Sequence, residues 1–149
     1  MIALKHVLAV LVVSASLGGC ETPRPVNGDH PSIITTPIGR DRYGLAAAWH
    51  QTPEECGDAQ PVRELLIRAD GTYSVTWLPF ESYQDYWGHW RYEPQTHTLT
   101  FTVAGGNYVP TDRVDSGQVS VDTQTLTLGA ISLGSPHEGP RCTAAFHHS

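Results

Sequence analysis

A chain of 149 residues, 40% of them hydrophobic, has the length of one domain and enough apolar side chains for one packed core. Fifteen aspartates and glutamates outnumber nine lysines and arginines, giving a formal charge of −6. A surface of that sign repels phosphate backbones and anionic head groups, which excludes nucleic-acid binding.

Residues 1–19 carry one basic side chain, Lys5, then the apolar run Val7–Val13, then the small residues Ser14, Ala15, Ser16, Gly18 and Gly19. This is the pattern of a secretory signal peptide, and its apolar core is too short to cross a bilayer. A buried N-terminal helix would carry a cap and a polar stripe, and neither accompanies the run. Leu17-Gly18-Gly19-Cys20 closes the segment and resembles the lipobox of bacterial lipoproteins. The resemblance implies cleavage before Cys20, diacylation of its thiol and palmitate-type acylation of the new amino group. Several acyl chains anchor well beyond a single one, at about 0.8 kcal/mol per buried methylene. In lipoproteins of this kind an aspartate after the cysteine favours retention in the inner membrane. Glu21 at that position points to the outer membrane, facing the periplasm.

Residues 20–42 hold four prolines and two glycines between Glu21 and Arg42, which breaks any regular element. They read as a tether, partly stiffened by proline, before a domain over residues 43–149. With Cys20 lipidated, Cys56 and Cys142 remain. An exported chain folds under oxidising conditions, so these two are expected to pair rather than stay as separate buried thiols.

The domain reads as strands separated by turns. Tyr43–His50 is the first, with Leu45, Ala47 and Trp49 on one face. A loop, Thr52–Pro61, holds Cys56. Val62–Ala69 and Thr72–Leu78 flank Asp70-Gly71, a strong hairpin signal. Tyr73, Val75 and Trp77 face the core, and Thr72, Ser74 and Thr76 face water. The loop Pro79–Asp85 leads to a strand at Tyr86–Glu93, with Trp90 and Tyr92 inward. Beyond the turn Glu93-Pro94-Gln95-Thr96 comes His97–Ala104, with Leu99, Phe101 and Val103 inward. Gly105–Val114 is a long loop. Asp115–Asp122 and Thr125–Leu133 follow, with Val119, Val121, Leu126 and Leu128 inward. Gly134–Pro140 is a loop, and Arg141–His147 is the last strand, with Cys142, Ala144 and Phe146 on one face. Eight sequential antiparallel strands with one dry face leave two open edges unless the last closes onto the first. The expected fold is therefore all-β, an eight-stranded up-and-down meander barrel. A bridge from Cys56 to Cys142 fits that closure.

The stretch A-D-G-T-Y-S-V-T-W-L-P-F-E-S-Y-Q-D-Y-W-G-H-W-R-Y, followed by G-G-N-Y-V-P-T-D, resembles lipocalin-like, calycin-type lipoproteins of proteobacteria. In lipocalins a Gly-x-Trp lies in the first strand, and an arginine from the last strand packs over the tryptophan. By that resemblance Trp49 and Arg141 are the matching pair, with Ala47 standing where the glycine would be. The resemblance implies a small apolar ligand, and the inward aromatics Tyr73, Trp77, Trp90, Tyr92 and Phe101, with Phe80, are its candidate binding residues. Phe80, Tyr83 and Tyr86 sit on or beside a loop suited to covering one mouth. Short strands with large rings argue the other way, for a barrel filled by its own side chains.

Chemistry-bearing patterns are sparse. His89 lies near Glu81 and Asp85 in sequence, but no H-x-x-x-H, H-E-x-x-H or C-x-x-C spacing occurs, so no metal or other cofactor is expected. His89 alternates away from Trp90 and should face solvent, and His147-His148 reads as a frayed tail. No G-x-S-x-G elbow is present, and Gly105-Gly106 joins two strands and opens no helix, so an enzyme ranks last. Residues 105–112 read equally as a binding loop or a wide connection. The expectation is a lipid-anchored carrier of a small apolar molecule, or a non-enzymatic structural or interaction lipoprotein with a filled barrel and a protein partner.

Overall fold

The computed structural model describes residues 41–77 and 84–149. The signal segment, Cys20, the tether as far as residue 40, and Phe80, Glu81 and Tyr83 lie outside the described residues.

The described strands close into one all-β barrel in sequence order, each antiparallel to both neighbours. They are β1 (Ala48–His50), β2 (Glu64–Ile67), β3 (Thr72–Thr76), β4 (Tyr86–Glu93), β5 (Thr98–Gly106), β6 (Ser116–Val121), β7 (Thr125–Leu128) and β8 (Phe146–His148). One short helix, α1 (Pro53–Cys56), follows β1. Proline at its first position costs no hydrogen bond there, and the Thr52 N–H and hydroxyl both donate to the Glu55 carboxylate, at 3.2 and 2.9 Å. Closure runs through β1 and β8, with Trp49 opposite His148 and His50 opposite His147.

The hairpin β2–β3 turns at Asp70-Gly71, where Gly71 takes φ +86° and Asp70 accepts from the Thr72 N–H and hydroxyl. In β4–β5 the register shifts between Trp87 and Gly88, because Ala104 is an extra residue in β5. The shift leaves Gly88 against its neighbour's backbone. A Cβ there would lie 1.9 Å from the Thr102 carbonyl oxygen, so only glycine fits.

Most strands are shorter than the sequence pattern suggests: β2 keeps only Glu64–Ile67 of the expected Val62–Ala69, and β1, β7 and β8 are cut back as far. Tyr43–Ala47 is not strand, because Asp41 accepts from the N–H groups of Tyr43 and Ala46 and holds them in a turn through Gly44, at φ +74°. β7 stops at Leu128 and β8 starts only at Phe146. Between them the chain is drawn to either side: Ser132 pairs with Val114, while Gln51 Nε2 donates to the Ala144 carbonyl at 2.8 Å. His147 and His148 are no tail. They form β8 and pair with both β1 and β7.

The core contains Leu65, Ile67, Val75, Leu99, Val119, Leu126 and Phe146 at 6% exposure or less. An aromatic series fills its centre: Trp77 to Tyr86 at 5.8 Å, Tyr86 to Tyr73 at 6.1 Å and Tyr73 to Phe101 at 4.5 Å between ring centroids. Offset and tilted rings at these separations attract beyond their buried area. Ser74 and Thr76, on the opposite side of β3, are buried as well, which corrects the expected wet face. Ser74 sits between Leu66 of β2 and Trp87 of β4, whose larger side chains rise on either side of it.

Candidate functional site

The two ends of the barrel differ. At one end the connections 68–71, 94–97 and 122–124 are tight turns. At the other lie the long ones among the described residues, 51–63, 107–115 and 129–145, together with Trp77, Gln84 and Asp85, the described residues between β3 and β4. Loops of that length on a rigid scaffold are where binding residues usually stand.

Asp85 is the node that joins three of them. It is fully buried, and its backbone carbonyl accepts from the Asn107 and Tyr108 N–H groups at 2.7 and 2.9 Å. Its Oδ2 accepts the Trp77 N–H at 2.8 Å, and its Oδ1 lies 3.7 Å from His137 Nε2. His137, at φ +38°, stacks on Tyr108 at 4.4 Å, and the Tyr108 hydroxyl donates to the His137 carbonyl. Asp112 adds a second tie by accepting from the Ser135 N–H and hydroxyl at 2.9 and 2.7 Å. These hydrogen bonds hold the Asp112 carboxyl below its usual range.

Below the loops, Arg113 caps the aromatic series. Its Nε and Nη2 donate to the Asp115 carboxylate at 2.8 and 3.1 Å, and its Nη1 donates to the Pro110 carbonyl. The guanidinium carbon stands 5.8 Å from the Tyr86 ring centre. The Tyr86 hydroxyl donates to the Leu133 carbonyl. Burial raises the Tyr73 and Tyr86 phenols well above their ordinary value, so both stay neutral under any ordinary condition.

The disulfide Cys56–Cys142 is formed, across a sequence separation of 86, and fastens α1 to the segment leading into β8. Beside it is a cleft of about 240 Å³ where the extensions of β7 and β8 part. Its sides are residues 128–134, 141–144 and Phe146, with Val62, Trp77 and Val114 also lining it.

Of the candidate ligand residues, Tyr73, Trp77 and Phe101 come together in the core and pack within one aromatic series, and Trp77 also lines the cleft. Trp90 and Tyr92 lie at the other end, half-buried. The Trp90 indole N–H donates to the Arg68 carbonyl, and Tyr92 meets Tyr43 edge-on at 4.9 Å and the His97 ring at 3.0 Å. Phe80 falls outside the described residues. Tyr86 is no lid residue: it is 1% exposed and central to the core. Arg141 does not cover Trp49. It is exposed and donates to Ser132 Oγ, while the edge of His148 stands 5.5 Å from the Trp49 ring and the Trp49 indole N–H donates to the Leu45 carbonyl. His89 faces solvent, as its alternation requires. Sequence reasoning missed Asp85, Arg113 and the Tyr108–His137 stack. The one local signal was the density of glycine, proline and asparagine at residues 105–110. Among the described residues no three histidine, cysteine or acidic side chains converge as a metal site would need.

The class defined by this fold is the closed up-and-down β-barrel. No protein-family model, curated protein or solved structure matches the chain.

Proposed function

We propose that the protein is a non-enzymatic lipoprotein of the outer membrane, anchored at Cys20 and facing the periplasm, whose filled barrel presents its loop-bearing end to a protein partner. The observation that carries this reading is the interior. Tyr73, Trp77, Tyr86 and Phe101 occupy it with rings in mutual contact, where a carrier would hold its ligand. A filled barrel is a rigid support, and the long described connections at one end, 51–63, 107–115 and 129–145, are what it supports. Anchoring rests on Leu17-Gly18-Gly19-Cys20 and Glu21. A carrier role for a small apolar molecule keeps one supporting observation, the cleft that reaches Trp77.

Photo-crosslinking in the native host tests the reading. A benzophenone side chain at Val109 or Glu138, both exposed on the loop-bearing end, should give a discrete protein adduct, and one at Gln95 or Gln124 on the opposite end should not. No adduct from either loop position, together with saturable uptake of an apolar dye that Phe101→Ala removes, would overturn it in favour of a carrier.

A further inference from the structure

The outer wall of β4 and β5 carries an exposed tryptophan on a bed of glycine. Trp87 is 39% exposed and stands opposite Gly105. A Cβ at Gly105 would lie 3.2, 3.3 and 3.3 Å from Cζ2, Cε2 and Nε1 of its ring. An approach within the ring plane would bring the outer two atoms clearly nearer than Cε2. The indole therefore turns one face to the glycine and leaves the other to solvent. The register shift between Trp87 and Gly88 builds this arrangement, as such irregularities re-aim a side chain. Gly88, where no side chain fits, permits the shift, and Gly105 leaves room beneath the ring. Next to Trp87 on the same face are His89 and Thr102, paired with each other and exposed. Among the described residues the Trp87 indole N–H, the His89 ring and the Thr102 hydroxyl have no hydrogen-bond partner in the protein. No side chain from Trp87 to Arg91 or from Thr100 to Gly105 is acidic, on a chain of formal charge −6.

We propose that this wall binds a β-1,4-linked glycan of N-acetylated hexosamines. The site lies on the side of the barrel and goes beyond the partner proposed for the loop-bearing end. A β-linked hexosamine holds its ring substituents equatorial, so each sugar offers a flat face of C–H groups. Those groups carry partial positive charge, and the face of an indole is negative. An acetamido carbonyl is the strongest neutral acceptor such a sugar has, and the free Trp87 N–H is a donor at the edge of the same ring. His89 and Thr102 add uncharged hydrogen-bonding groups for hydroxyls. The net negative charge disfavours polyanionic glycans. A protein partner fits this wall less well. Trp87 is its one exposed large apolar side chain among the described residues, since Val109 and Val114 lie in the connection 107–115. Protein hot spots stand in desolvated pockets ringed by further contacts, and here the ring lies open beside polar groups. Both strands are paired on each side, so the wall has no edge for a peptide to extend.

The test is a titration of the full chain, in a detergent without a sugar head group, with the β-1,4-linked hexamer of N-acetylglucosamine. Binding should saturate and should shift the Trp87 indole N–H resonance more than those of Trp49, Trp77 and Trp90. Trp87→Ala should weaken it about tenfold or more, as loss of a central tryptophan contact does. Gly105→Ala, which lifts the ring from its bed, should also weaken it while the circular dichroism spectrum stays unchanged. The β-1,4-linked hexamer of glucose, which lacks the acetamido group, should bind several-fold less tightly. Equal affinity for that sugar would overturn the N-acetyl assignment, and equal affinity for the α-1,4-linked glucose hexamer would overturn the stacked geometry. Absence of saturable binding, or full affinity retained in Trp87→Ala, would overturn the site. So would a discrete protein adduct from a benzophenone side chain at Thr102 in the native host, which would give the wall to a protein. The interaction-module reading stands apart from all of these and falls only with the crosslinks at Val109 and Glu138.

Discussion

Two positions show how finely single residues are set by their neighbours. Gly88 faces the Thr102 carbonyl across the register shift, and a carbonyl in a paired strand cannot step aside. Gly88→Ala should cost more than about 4 kcal/mol, the far end of single-substitution effects, read as a drop in the denaturation midpoint. Gly105→Ala is the matched control. Its Cβ would meet the Trp87 ring at 3.2 Å, a half-exposed side chain able to shift, so its cost should be far smaller. Asp112 is set by hydrogen bonds from the Ser135 side chain and backbone, which lower its pKa from the ordinary 3.8. A carboxyl lowered on folding contributes stability that is present above its unfolded value and lost as the pH falls through its folded value. The tie between residues 107–115 and 129–145 should therefore loosen below pH 3.8. Protection of the Ser135 amide, taken relative to its intrinsic exchange rate, should fall in that window, and Asp112→Asn should remove the step.

At the scale of elements, what could be read from sequence was whatever repeats every two residues. Tyr86–Glu93 matches its expected limits because its alternation continues to both ends. β1, β7 and β8 came out short for reasons that alternation cannot carry. Asp41 folds the approach to β1 into a turn, and Ser132 and Ala144 are claimed by side chains or strands distant in sequence. The candidate site was less legible still. Asp85 reads as an ordinary loop aspartate until the hairpin brings the Trp77 N–H to it and the next loop brings Tyr108. Arg141 matched the pattern of the resembled family in chain position, yet residues 141–145 never join the strand that would have aimed it at Trp49. The disulfide was legible because only two cysteines remain after Cys20. Replacing both Cys56 and Cys142 by serine should lower stability by roughly 2–5 kcal/mol. Thiol titration of the unreduced, unfolded protein should detect neither of them.

For the whole molecule, the feature outside the barrel with the widest consequence is the proposed anchor at Cys20. Cys20→Ala should leave the protein unprocessed or release it from the membrane fraction, and mass spectrometry of the mature N-terminus should find acyl chains on Cys20 of the unaltered protein. An unmodified Cys20 would remove both the anchor and the outer-membrane placement proposed from it.

The closing pairs of the barrel join its first strand to its last, Trp49 with His148 and His50 with His147, and the Ser149 N–H reaches the Ala48 carbonyl. Contacts that distant in sequence form late. Until residues 146–148 arrive, β1 and β7 each expose an edge able to recruit another chain. Residues 146–149 thus act as a clasp on a garment otherwise sewn: a copy lacking them keeps every earlier hairpin yet has two places to stick. Proofreading of this protein by proteases should accordingly hinge on Phe146–His148 rather than on its core.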